Sequence, residues 1–170
     1  MKKSRKHIII LNLLFVLLFI TYAVIKNEKI LANGQLVLLE LAPVDPRSLM
    51  QGDYMDLRYK ITELQEFNEP QIKPQIEILP KKGYFVIVLD SNNIAKKVRI
   101  QPIKNPLNNG EYLLKYHKNN YQIYLGTESY FFQEGTAEKY EKAKYGALKI
   151  DKNGNAILEG LYNKELVKLE

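Results

Sequence analysis

The chain has 170 residues, 46% of them hydrophobic and 26% charged, which fits one folded domain and excludes a disordered chain. It has no cysteine, so disulfides, cysteine metal ligands and cysteine nucleophiles are excluded. Four of its 25 basic residues lie within residues 1–7, and the other 21 nearly balance the 19 acidic residues, so despite a net charge of +6 we expect no nucleic-acid partner.

An uncharged apolar run occupies residues 8–25, with the sequence IIILNLLFVLLFITYAVI. A helix of this length spans about 27 Å, which matches the hydrocarbon core of a bilayer. Basic residues precede the run, so the positive-inside rule places the N-terminus in the cytoplasm. We predict a basic cytoplasmic flank at 1–7, a membrane anchor at 8–25, a linker at 26–34 and an extracytoplasmic β-rich domain at 35–170.

Two other interpretations compete with an uncleaved anchor. A cleaved secretory signal has an apolar stretch of about 7–15 residues followed by a small-x-small cleavage site. This run is longer, and no good cleavage site follows it. The core helix of a soluble protein carries its apolar residues along one stripe, whereas here they surround the helix. The sequence favours the anchor, with the lipid bilayer as partner of residues 8–25.

The rest of the chain predicts a mainly β fold, barrel-like or sandwich, with about eight short strands and one short late helix. Apolar stretches separated by turns rich in Asn, Gly and Pro mark the strands. The predicted strands are 35–42, 53–61, 83–89, 94–100, 111–116, 121–125, 130–132, 147–151 and 156–161. Thr136 is expected to cap a helix from Ala137 to about Tyr145, which Gly146 ends.

Residues 53–61 show the clearest alternation of apolar and polar side chains in the chain. The face expected to be buried carries Met55, Leu57, Tyr59 and Ile61. The face expected to be solvated carries Tyr54, Asp56, Arg58 and Lys60. On the solvated face, Asp56 and Arg58 are two residues apart, and the favoured interpretation is that they pair or remain solvated. Asp53, after Gly52, is suited to accept hydrogen bonds from backbone N–H groups of the turn.

The spacing of the acids and histidines indicates no metal centre or catalytic triad. His7 and His117 are the only histidines, and neither lies in a cluster with metal-ligand spacing. We therefore expect no metal and no cofactor. An enzymatic role is disfavoured without being excluded, since Asp53 or Asp56 could serve as a catalytic acid.

The stretches 43–47 and 49–59 resemble the GDYXXLXY protein family, and the signature is met by Gly52, Asp53, Tyr54, Leu57 and Tyr59. Residues 132–136 and 140–146 are similar to a second block of that family, and 153–161 to its ending. We call residues 52–59 the first motif and residues 132–146 the second motif. The resemblance implies a membrane-anchored outer domain of bacteria with no established activity, often found with polytopic membrane proteins.

Three roles follow. The favoured one is a non-catalytic accessory or interaction subunit of a membrane complex, with a polytopic membrane protein as partner. The second is a ligand-binding or sensory outer domain. Its binding residues would be Asp53, Tyr54, Asp56, Arg58 and Glu134, supported by the structural residues Gly52, Leu57, Tyr59, Gly135 and Thr136.

The third and least favoured role is a hydrolase. Leu49, Gly52 and Asp53 are similar to the end of the nucleophile box of type I signal peptidases. In that register Val44 takes the place of the nucleophile, and a valine side chain cannot attack a carbonyl carbon.

Overall fold

The computed structural model describes residues 2–42, 50–51, 54–63, 79–119, 122–133 and 135–169. Within them the chain is mainly β, with a long apolar N-terminal helix and one short helix late in the chain, as the sequence predicts. The helices are α1 (Lys2–Asn33), a 3-10 helix (Lys60–Thr62) and α2 (Ala137–Tyr140). The strands are β1 (Gln35–Glu40), β2 (Met50–Gln51), β3 (Tyr54–Asp56), β4 (Lys82–Leu89), β5 (Ala95–Gln101), β6 (Glu111–Asn119), β7 (Gln122–Tyr124), β8 (Ser129–Phe131), β9 (Tyr145–Ile150), β10 (Ala156–Tyr162) and β11 (Lys168–Leu169).

The described strands form three antiparallel sheets. The first sheet has the order β1-β9-β10-β11, the second β2-β3-β8 and the third β5-β4-β6-β7. Among the described residues, two isolated bridges join the sheets: Leu38 pairs with Ile94, which directly precedes β5, and Leu41 pairs with Tyr59, shortly after β3. The first sheet is therefore attached to each of the other two.

One hydrophobic core draws side chains from all three sheets. Strand β4 lies between β5 and β6, and its Phe85, Val86 and Ile87 are fully buried. A strand buried on both faces needs apolar residues at consecutive positions, which explains the continuous run in β4. Burial of each large apolar side chain contributes about 1.5–3 kcal/mol.

The long helix α1 leaves its apolar side chains uncovered. The large hydrophobic residues from Ile8 to Ile25 are between 43% and 71% exposed, on all sides of the helix. Residues Lys6–Asn33 are long and apolar enough to cross a membrane, with a mean hydropathy of 2.9 in the most apolar window. This exposure argues against the core-helix interpretation, because a core helix buries its apolar side chains.

The end of α1 is docked on the first sheet. Residues 26–33, predicted as part of a linker, continue the helix, which packs against β9 and β10. Ile30 is buried, and the Gly34 N–H donates to the Ile30 carbonyl oxygen at 2.8 Å. A Cβ at Gly34 would overlap that oxygen and lie 3.0 Å from the Ile150 carbonyl oxygen. Only glycine allows β1 to begin directly after the helix in this position.

Strand β1 separates two ends of the domain. Gln35, next to the helix, pairs with Ile150, and Glu40 at the other end of β1 pairs with Tyr145. At about 3.3 Å per residue, the two ends of this strand are roughly 17 Å apart. The helix is therefore attached at one end of the first sheet, and the bridge between Leu41 and Tyr59 lies beyond the other.

The predicted helix after Thr136 is wrong in its cap and its length. The Thr136 hydroxyl donates to the Gln133 carbonyl oxygen at 2.6 Å and makes no capping bond to the helix. Helix α2 is a single turn. Gly146 does not end this helix but lies inside β9. Strand pairing prevails over helix propensity, because β9 begins at Tyr145 with partners on both sides.

The loop of residues 102–110 is held by an ion pair. The Arg99 guanidinium donates to Glu111 Oε2 at 2.8 Å and to the Pro106 carbonyl oxygen at 3.0 Å. The Asn108 N–H donates to the same carboxylate at 2.8 Å. The Arg99 hydrogen bonds, followed by those of Asn108, lower the pKa of Glu111 to about 2.

We predict that Gly34→Ala lowers the free energy of unfolding by about 1–3 kcal/mol, because the added methyl group forces α1 away from β9. Urea unfolding of the full chain in detergent micelles measures this change. Gly160→Ala is the matched control, since a Cβ there meets only the flexible end of the Lys168 side chain. Equal effects of the two substitutions would show that the close approach at Gly34 does not matter.

We also predict that residues 102–110 open at low pH. Because the folded pKa of Glu111 lies below its usual 4.5, the carboxylate stabilises the loop above pH 4.5, and this stabilisation is lost as pH falls toward 2. Hydrogen exchange of the loop amides should accelerate over that range, after correction for intrinsic rates. Glu111→Gln should expose the loop at neutral pH, whereas Glu165→Gln, an exposed control, should not. Protection unchanged in Glu111→Gln would contradict this assignment.

Candidate functional site

The first motif lies beside the residues that precede the second motif. Strand β3 pairs with β8 in the order Tyr54 to Phe131, Met55 to Tyr130 and Asp56 to Ser129. These strands are more than 70 residues apart in sequence. Only the fold brings them together, and residue 132, where the second motif begins, follows β8 directly.

Tyr59 is the strongest link between the two motifs. Its side chain is 1% exposed, and its hydroxyl donates to the Thr127 carbonyl oxygen at 2.7 Å. The Thr127 hydroxyl donates back to the Tyr59 oxygen at 3.1 Å. A Cβ at Gly146 would lie 2.8 Å from the Tyr59 ring, so glycine lets this ring rest directly on β9. Burial raises the pKa of Tyr59 well above its usual 10.

Residues 57–59 carry the chain from the second sheet to the first. The Leu57 N–H donates to the Glu128 carbonyl oxygen at 2.6 Å, beside β8. One residue later, the Arg58 carbonyl oxygen accepts from the Ala42 N–H at 2.8 Å, beside β1. The ladder with β8 therefore stops at Asp56, and the single strand predicted at 53–61 is wrong. The side chains nevertheless alternate between exposed and buried as far as Tyr59, as predicted.

An ion-pair cluster strengthens the same corner. Glu40, the last residue of β1, accepts from Lys60 Nζ at 3.0 Å and from Lys144 Nζ at 2.9 Å. The Lys144 hydrogen bond is the main reason why the pKa of Glu40 is lowered. Lys60 directly follows the first motif and Lys144 belongs to the second, so the cluster joins both motifs to the end of β1.

Three aromatic side chains hold the second motif against β8. Tyr140 of α2 is buried, with ring centroids 5.1 Å from Tyr130 and 5.3 Å from Phe132. Burial, and then the Tyr140 hydroxyl, raise the pKa of Tyr130 to about 12. Aromatic pairs at these separations add about 0.5–1.5 kcal/mol beyond their buried area. The single turn of α2 thus serves to place Tyr140 in the core.

The outer face of this pair of strands is open to solvent. The rings of Tyr54 and Phe131 pack against each other with centroids 5.9 Å apart, yet Tyr54 is 37% exposed and Phe131 75% exposed. Asp56 and Arg58 are exposed beside them, and no ion pair joins the two in the described residues. We call Tyr54, Asp56, Arg58 and Phe131 the outer patch.

The other residues proposed from the sequence are divided between the described and the undescribed parts of the chain. Gly52, Asp53 and Glu134 lie outside the described residues. Gly135 has a φ of +79°, a conformation that favours glycine, and Thr136 bonds within its own turn. A binding role for Tyr54, Asp56 and Arg58 stays a prediction, although the structure brings them to one surface.

Phe131 and Thr127 are the site residues that sequence reasoning missed. The sequence predicts a strand at 130–132, but only the pairing with β3 shows that Phe131 lies on the exposed face, opposite Tyr54. Thr127 is buried in a loop and gives no local signal for its contact with Tyr59. Metal chemistry gains no support: in the described residues, no group of three or more His, Asp and Glu side chains could hold an ion.

Comparison with known proteins gives one match. A family model described as GDYXXLXY protein matches residues 16–161, which include both motifs and the strands from β1 to β9. No curated protein and no solved structure matches the chain.

We predict that Tyr59→Phe lowers the free energy of unfolding by about 1–3 kcal/mol, because the Thr127 carbonyl oxygen and hydroxyl lose their buried partner. The substitution should also change the pH dependence. A raised folded pKa means that the neutral phenol stabilises the fold below pH 10 and that this contribution disappears as pH rises further.

Urea unfolding of the full chain between pH 7 and pH 11 tests both statements. Stability should fall more steeply above pH 10 in the parent chain than in Tyr59→Phe. Tyr162→Phe is the control, since this ring is only half-buried. Parallel pH profiles for the parent chain and Tyr59→Phe would refute the assignment.

Proposed function

The chain belongs to the GDYXXLXY protein family, and we propose that this member is a membrane-anchored, non-catalytic outer domain that serves as an accessory subunit of a membrane complex. The observation that carries the proposal is the exposed aromatic pair Tyr54–Phe131, held at the place where the two motifs join. Its partner in this proposal is the outer part of a polytopic membrane protein.

The anchor supports the first half of the proposal. Helix α1 is long and apolar enough to cross a bilayer, and Lys2, Lys3, Arg5 and Lys6 lie at its start. The positive-inside rule then puts these residues in the cytoplasm and the β domain on the other side. Since α1 is docked on the first sheet through Ile30 and Gly34, the domain keeps a defined orientation to the membrane.

The outer patch supports the second half. Phe131 exposes three quarters of its side chain, although its backbone is fixed by the ladder with β3. Rigid exposed aromatic side chains are enriched among the residues that dominate binding energy at protein interfaces. An acid and a base beside the rings, Asp56 and Arg58, provide the polar rim that such interfaces carry.

The position of the outer patch also suits a protein partner. It lies near the end of β1 opposite the helix, and the strand between the two ends is roughly 17 Å long. The patch is therefore separated along the first sheet from the point where α1 docks, which favours a protein partner over the lipid that surrounds the helix.

We predict that a photo-crosslinking amino acid at Phe131, in the full chain at native expression in its own membranes, forms an adduct with a polytopic membrane protein. The same amino acid at Val98, an exposed apolar position on β5 in the third sheet, serves as the control and should form no such adduct. Phe131→Ser should weaken co-purification of that protein by about tenfold or more, as truncation of a central aromatic side chain does.

A loss of co-purification in Phe131→Ser should not result from unfolding of the variant. Phe131→Ser removes the ring contact with Tyr54 but little buried area, so it should lower the free energy of unfolding by about 0.5–1.5 kcal/mol and leave the domain folded, which urea unfolding checks. Recovery of the chain only as a lone monomer, with no adduct at Phe131, would overturn the proposal.

A further inference from the structure

An open groove of about 640 Å³ lies between the end of α1 and the first sheet. One wall is a face of the helix that includes Tyr22, Ile25, Lys26 and Lys29. The opposite wall includes Lys152 and Asn153, in the turn between β9 and β10. This groove is at the helix end of the first sheet, away from the outer patch, so the inference rests on the anchor half of the proposed function and not on the role of that patch.

The groove is positively charged. Lys26, Lys29 and Lys152 line it, and none of them makes an ion pair with any described residue. Among the described lining residues Asp151 is the only acid, and its carboxylate accepts from the Asn153 N–H at 2.8 Å and from the Asn155 N–H at 2.8 Å. Three lysines thus face one carboxylate, which leaves these lining residues with an excess of two positive charges.

The groove also spans the level at which the apolar helix becomes polar. Tyr22 and Ile25 end the uncharged run, and Lys26 is the first charged residue after it. Residues 26–33 add about 12 Å of helix before the domain begins. If residues 8–25 cross the hydrocarbon core, the mouth of the groove lies among the lipid headgroups.

A neighbouring loop exposes apolar side chains at the same rim. Lys104 Nζ donates to Asn153 Oδ1 at 2.7 Å, which attaches residues 102–110 to the groove wall. In this loop Ile103 is 64% exposed and Leu107 41% exposed. Apolar side chains beside basic ones are typical of segments that lie in the interface of a membrane.

We propose that this groove binds the headgroup phosphate of an anionic phospholipid, with Ile103 and Leu107 resting on the same leaflet. Lys26, Lys29 and Lys152 supply the charge, and Tyr22 and Ile25 contact the upper acyl region. The contact is a second attachment to the membrane besides the helix itself, and it fixes the tilt of the helix and its docked β domain relative to the bilayer.

The first test measures lipid affinity. Phosphatidylglycerol is titrated into the full chain in neutral detergent, and bound lipid is followed by native mass spectrometry. At about fivefold per lysine, K26Q/K29Q/K152Q should lose affinity by roughly 100-fold, and K26R/K29R/K152R should retain it. The matched control K139Q/K142Q/K164Q removes the same charge from exposed positions elsewhere and should bind as the parent chain does.

The second test locates the loop. Because the chain has no cysteine, a single cysteine at Ile103 can carry an environment-sensitive fluorophore in the full chain reconstituted into vesicles. Emission should shift to the blue in vesicles that contain phosphatidylglycerol, relative to pure phosphatidylcholine, and K26Q/K29Q/K152Q should abolish the shift. A label at Val167, near the opposite end of the β9–β10 hairpin, should not respond.

Three results would overturn the proposal. These are equal lipid affinity of the parent chain and K26Q/K29Q/K152Q, the same emission of the Ile103 label in both kinds of vesicle, and a shift produced by soluble glycerol phosphate in pure phosphatidylcholine vesicles. The last result would assign the groove to a free phosphate compound and not to a lipid.

Discussion

The hydrogen bond between the buried Tyr59 hydroxyl and the Thr127 carbonyl oxygen is the interaction on which the domain depends most. The backbone of Tyr59 pairs with Leu41 beyond β1, and its ring rests on Gly146 of β9. Its hydroxyl reaches the loop before β8. A single side chain thereby determines how the first and second sheets meet. Without that acceptor the phenol would be buried with an unsatisfied donor, at a cost of about 1–3 kcal/mol.

Strand β1 connects the Tyr59 interaction to the opposite end of the domain, where the helix docks. One end of the strand follows Gly34 and the docked helix, and the other leads to the bridge with Tyr59. Since β1 is hydrogen-bonded to β9 along its full length, the two ends cannot move independently. The helix end carries the groove with its lysines, and the far end carries the outer patch. The fold therefore separates a surface suited to lipid from a surface suited to a protein.

Local patterns in the sequence predicted much of the fold. Alternation placed Met55, Leu57 and Tyr59 in the core, and turn residues marked the β4–β5 and β9–β10 hairpins, since these features depend on neighbours in the chain. The pairing of β3 with β8 was not predictable, because contacts between segments so far apart leave no local periodicity. Helix propensity after Thr136 was misleading for a related reason: the pairing of Tyr145 with Glu40, a distant residue, starts β9 where the predicted helix would still continue.

Some residues of the first motif are needed for folding and others are not, and the burial of each side chain distinguishes the two groups. Leu57 and Tyr59 are 2% and 1% exposed, so folding alone accounts for an apolar side chain at the first position and a hydroxyl-bearing ring at the second. Tyr54 has no such explanation, since many residues would fit a strand position whose side chain is over a third exposed. Its ring contributes instead to a surface with Phe131, and exposing two adjacent aromatic rings to water is unfavourable. The contact between the two rings offsets part of that cost, because cross-strand aromatic pairs stabilise a sheet. Stability therefore accounts for Tyr54 in part, and it leaves the exposed three quarters of Phe131 as the area that the proposed partner would cover.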